Sequence, residues 1–173
     1  PLAPERIVTA LSATADHVRR AHPGEPVFVI TRPDGLREFD GHPLLTPAEA
    51  DAADARAAAV VLGDGETDLS YENLDRAFRL LRRGARLIAM HRNPWWYTAR
   101  GETLDTGAFV AALEYATGTR ALLVGKPAPL MFRVAHGSLA AEVAAGGGGP
   151  RLRLHEVAMI GDHARQDVGG AQR

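Results

Sequence analysis

One lysine stands in this chain of 173 residues, against nineteen arginines, and it closes an apolar run, Leu122-Leu123-Val124-Gly125-Lys126-Pro127. A compact ammonium on a flexible stem does what a planar guanidinium does not, so a lone lysine in an arginine-rich chain is a candidate for site chemistry. The surface-turn reading of Gly-Lys-Pro stays open beside it. A second apolar run, Val157-Ala158-Met159-Ile160, leads to Gly161-Asp162, and Asp167 follows five residues later. Two carboxylates converging there suit a hard cation such as Mg²⁺, which takes oxygen ligands and keeps several waters. The competing reading makes Asp162 a turn residue and Asp167 a helix cap. Taken together and in this order, an ammonium and two carboxylates at strand ends favour a Mg²⁺-assisted phosphoryl site.

Strand ends need strands, and the chain alternates helix and strand signals. Ile7, Leu11, Ala15 and Val18 repeat near the helical period behind Pro4, a residue suited to a first helical position, and Pro23-Gly24 closes that helix. Short apolar runs at 27–30, 58–63, 86–90, 121–124 and 157–160 predict buried strands. Between them Thr46-Pro47-Ala48-Glu49 has the form of a capping box. Ser70 precedes a helix over 71–83 whose inner face is Leu74, Phe78 and Leu81. Further helices are predicted from Thr106 to Thr117 and from Pro129 to Ala144, with Gly146 to Pro150 as a spacer. This alternation predicts an α/β fold with mainly parallel pairing, and in such sheets ligands bind at the carboxyl edge.

Composition narrows the function classes. A formal net charge of −1 argues against a nucleic-acid partner held by phosphate neutralisation. No apolar run nears the roughly 18 residues needed to span a bilayer, and no charged-then-apolar leader opens the chain, so no membrane partner is expected. The absence of cysteine removes disulfides, thiolate metal sites and thiol nucleophiles. It fits a cytoplasmic setting, and secretion behind a cleaved signal equally well.

In several stretches the wording resembles the haloacid dehalogenase (HAD) superfamily of aspartate-nucleophile phosphatases, subclass IIA, and within it the phospholysine phosphohistidine inorganic pyrophosphate phosphatases. The stretches are Ile7 to Asp16, Asp68 to Leu74 with Gly84 to Ala89, Phe109 to Gly118, Val124 to Pro127, and Asp167 to Gln172. The resemblance implies a large α/β cap over 1–118 and, over 119–173, part of a HAD-like Rossmannoid core. It implies Lys126 as the catalytic lysine that steadies nucleophile and phosphoryl group, Asp162 as a direct Mg²⁺ ligand, and Asp167 as support for the metal shell. The implied substrate is a small phosphorylated molecule or pyrophosphate.

Departures from the family pattern are as informative. The Asp-x-Asp-Gly strand that carries the family's nucleophile and acid/base has no counterpart in these residues, Asp64-Gly65-Glu66 being the nearest imitation. The Thr/Ser-Asn phosphate grip is also absent. His163 stands where close relatives often carry another aspartate. These gaps read as a family fragment or a stripped derivative that is inactive alone, and they keep a non-catalytic ligand-binding or interaction module as the alternative. Of the seven histidines, His91 is singled out as substrate-binding, because it ends a strand just before Arg92-Asn93-Pro94-Trp95-Trp96-Tyr97. In related caps that loop faces the active site. The competing role for Trp95 and Trp96 is packing of the cap, or a homodimer contact through it.

Overall fold

The computed structural model describes residues 6–146 and 152–172. Pro4 and most of the glycine spacer (147–150) lie outside them. The chain begins with helix α1 (Ala10–Ala21), whose capping box joins Thr9 and Ser12 reciprocally. Strand β1 (Val27–Ile30), helix α2 (Pro47–Asp51), strand β2 (Ala59–Leu62), helix α3 (Tyr71–Arg82) and strand β3 (Arg86–Ala89) follow. A hairpin comes next, β4 (Trp95–Thr98) against β5 (Gly101–Leu104), then α4 (Thr106–Thr117), the two-residue strand β6 (Leu122–Leu123) and α5 (Pro129–Ala145). A π-helical turn (Ala164–Val168) and a last short helix, Gly169–Ala171, end the described chain.

The four strands β1, β2, β3 and β6 form one sheet in that order, every neighbouring pair parallel. The near-continuous burial of β1, β2 and β3 explains their Val/Ile/Leu runs, since a parallel sheet is covered on both faces. One face packs on α2, α3 and α4 through residues such as Phe28, Ala50, Leu80 and Val110. The opposite face, with Val27, Val61 and Ile88, packs on α1 and takes Leu130, Met131 and Val134 of α5. The result is the mixed α/β architecture that the periodicity predicts, in three layers. Among the described residues no helix is long and apolar enough to cross a membrane.

Ile7, expected on the inner stripe of the first helix, lies before α1 and is 55% exposed, and two further expectations change. The run Val157–Ile160 is not a strand: it finds no ladder, and Ile160 is 92% exposed. A strand exists by pairing its backbone groups, and among the described residues the sheet edge beyond β3 is the two-residue β6. Asp162 is therefore not delivered by a strand end. The other change is an addition, the antiparallel hairpin β4–β5, in a stretch read only as a loop.

Candidate active site at the carboxyl edge of the sheet

Each parallel strand hands its next residues to the same edge, and polar side chains gather among them. Thr31 and Arg32 follow β1, Asp64 follows β2, Met90 and His91 follow β3, and Lys126 lies three residues past β6. The turns there are tight. A Cβ on Gly125 would sit 2.2 Å from the Met90 carbonyl oxygen, so only glycine lets the chain after β6 run this close to the end of β3.

Lys126 Nζ donates to Asp167 Oδ1 at 2.6 Å across 41 residues of sequence. Asp167 is 2% exposed, and its other oxygen, Oδ2, accepts the His163 backbone N–H at 3.0 Å. The Lys126 hydrogen bond first, and the His163 backbone donor second, hold the Asp167 carboxyl below its ordinary range against the opposing cost of burial. Gly161 makes this possible too, since a Cβ there would meet the Asp167 carboxyl carbon at 2.4 Å. His163 caps the π-helical turn by accepting the Gln166 N–H at its Nδ1. Asp162 is exposed, beside this cluster rather than within it.

A cleft of about 580 Å³ opens over the ends of β1, β2 and β3. His91 lines it, with Nε2 3.7 Å from Asp105 Oδ1. Its Nδ1 is buried and makes no hydrogen bond among the described residues. Asp105 also caps α4 by accepting the Thr106 N–H at 2.7 Å. Arg32 is ringed by Asp34, Asp64 and Glu66 at 3.5–3.7 Å. Trp96, on the hairpin, lines this cleft and also a neighbouring one of about 460 Å³ with Phe109 and Arg100. The two halves of the edge touch where Gln166 Nε2 donates to Asn93 Oδ1 at 3.2 Å. Arg32, Asp34 and Asp105 were not singled out in the sequence. Arg32 is legible as the second residue past the end of a strand; Asp34, in the turn beyond it, and Asp105 at the foot of α4 carry no such mark.

Of the four residues expected in the site, Lys126 and Asp167 are brought into contact, His91 lies in the cleft, and Asp162 stays exposed. Among the described residues no three His, Asp or Glu side chains are grouped to hold a metal ion. Both Asp167 oxygens already have donors. These residues alone do not fit a Mg²⁺ shell. They can hold an ammonium in fixed position beside a cleft, which is a means of binding and neutralising an anionic group.

A parallel α/β sheet with a lysine–aspartate pair at its carboxyl edge matches known proteins in both sequence and structure. The HAD-hydrolase-like family model matches residues 123–173. Human haloacid dehalogenase-like hydrolase domain-containing protein 2 is 43% identical over 114 residues, which is 66% of this chain and 40% of that protein. Human phospholysine phosphohistidine inorganic pyrophosphate phosphatase is 33% identical over 172 residues, covering 98% of this chain and 55% of that one. A thermostable p-nitrophenyl phosphatase of Geobacillus stearothermophilus superposes with a TM-score of 0.82 at 26% identity, over 99% of this chain and 62% of that one. A glycerol phosphate phosphatase of Mycobacterium tuberculosis in complex with magnesium gives 0.73 at 27%, over 95% and 45%. The chain belongs to the haloacid dehalogenase superfamily. Its structural neighbours among the p-nitrophenyl phosphatases are of subclass IIA. It spans about 39 to 56% of the length of the curated relatives it matches.

Proposed function

We propose that these residues are the substrate-selecting cap (1–118) and part of the core (119–173) of a Mg²⁺-dependent, cytoplasmic HAD phosphatase acting on small phosphorylated molecules. The observation that carries this reading is the Lys126–Asp167 pair, an ammonium held at 2.6 Å by a buried carboxylate at the ligand-binding edge of the sheet. In that role Lys126 neutralises the phosphoryl group, Asp167 positions Lys126, His91 contacts the leaving group, and Asp162 would offer one carboxylate to a metal whose other ligands are not grouped with it among the described residues. The proposal includes pairing of two copies through the hairpin of the cap. A second reading, a ligand-binding module without turnover, is favoured by the missing Asp-x-Asp-Gly sequence within the 173 residues.

Both readings give the same expectation for the isolated chain. Covalent phosphoryl transfer needs a carboxylate in line with phosphorus, and general acid/base help of about 10²–10⁴-fold needs its own group. Purified alone, the chain is expected not to hydrolyse p-nitrophenyl phosphate or pyrophosphate with Mg²⁺. Steady-state assays beside Lys126→Ala and Asp162→Ala check this. Turnover lost in both variants would show that another carboxylate, Asp64 first, serves as nucleophile.

A further inference from the structure

Trp96 occupies a special position. It projects from the hairpin between two cavities of about 580 and 460 Å³, lining both, and is 43% exposed. Cavities of this size suit small organic ligands, and a half-exposed indole is the best aromatic surface for a cation. Charge on the facing wall has a sign. The larger cavity carries the carboxylates of Asp34, Glu38, Asp64 and Asp105 against a single guanidinium, Arg32, and the imidazole of His91 beside Asp105. Arg32 is already faced by Asp34, Asp64 and Glu66, so its charge is more than matched. An anionic leaving group entering here meets uncompensated carboxylates, whereas an ammonium meets them and the indole face together.

We propose that Trp96 is the specificity-determining residue of this cleft and that it selects phosphoryl donors whose leaving group carries an ammonium, discriminating against pyrophosphate. The inference rests on the phosphatase reading for the word leaving group, but not for its test, which is binding without hydrolysis. When a phosphate ester is hydrolysed, an oxygen from water bonds to phosphorus as the ester P–O bond breaks, and the ester oxygen leaves, protonated, with the organic group. What the cleft recognises is therefore the released amino alcohol itself.

Choline is the probe, because its charge is fixed at every pH; 3,3-dimethyl-1-butanol is its neutral isostere. Titration of the 173-residue chain, followed by calorimetry and by the fluorescence of Trp96 in a Trp95→Phe background, is expected to give choline at least tenfold tighter binding than the isostere or pyrophosphate. Trp96→Leu is expected to weaken choline by about three- to thirtyfold. Asp64→Asn, a surface change that keeps the fold should Trp96→Leu not, narrows the gap between choline and the isostere. Added salt weakens choline alone. Equal binding of the isostere or of pyrophosphate, or choline affinity indifferent to both Trp96→Leu and Asp64→Asn, overturns the inference and leaves the phosphatase reading standing. Absence of turnover, conversely, leaves this selectivity intact.

Discussion

Asp167 is a buried carboxylate kept ionised by two donors of unequal weight. Lys126 is the main cause of its depressed pKa, with the His163 N–H next. A carboxyl that is more acidic folded than unfolded stabilises the native state above its ordinary value near 3.8, and this contribution is lost as pH falls through the lower folded value. Lys126→Met keeps the stem and removes the charge. It is expected to raise the Asp167 pKa and to move the onset of acid unfolding to higher pH. Carboxyl ¹³C titration of Asp167 in both proteins checks the first, and circular dichroism against pH the second. An unmoved Asp167 titration would show that the backbone donor holds the anion by itself.

Among the elements, α3 does most to cover one face of the sheet, with Ala77, Leu80 and Leu81 buried. Leu80 is fully buried, so Leu80→Ala is expected to cost about 2–5 kcal/mol in urea unfolding, from lost transfer energy plus the cavity left behind. A loss under 1 kcal/mol would mean that the helix collapses into the gap. The sequence made α3 legible because its cap, apolar period and stop all agree, and β1, β2 and β3 were legible as short apolar runs. Val157–Ile160 reads equally well as a strand, yet apolar composition records only what a segment can bury, not whether an edge of matching length is there to pair with it. The hairpin was missed for the opposite reason. Trp95-Trp96-Tyr97-Thr98 has strong β-propensity, but its two-residue turn is Ala99-Arg100, with Gly101 at φ +96 opening β5, and it carries no Asn-Gly signal. In the site, Lys126 and Asp167 were legible from residue type and place. Their direct contact was not, because it depends on how the π-helical turn folds back over 41 residues.

The hairpin's outer face gives the whole molecule an apolar patch. Trp95, Tyr97 and Leu104 share one side, with Trp95 edge-on to Tyr97 at 5.3 Å, and they are 49%, 69% and 65% exposed. Patches of this kind mark interfaces. Sedimentation of the chain is expected to show a concentration-dependent dimer that Leu104→Glu dissociates; a monomer at every concentration would sink the pairing proposal. The sheet has one more consequence. Its strands stand in space in the order in which they occur in the chain, and the α-helices of the crossovers between them, α2, α3 and α4, lie on the same face. Each new strand therefore joins an edge already made, and no later segment has to insert between earlier ones. During synthesis the sheet can then grow outward in the direction of translation, each strand pairing across a crossover with the edge before it. β6, with two residues on the last edge, is the final addition, so the lysine reaches its place only after the cleft beside it has formed.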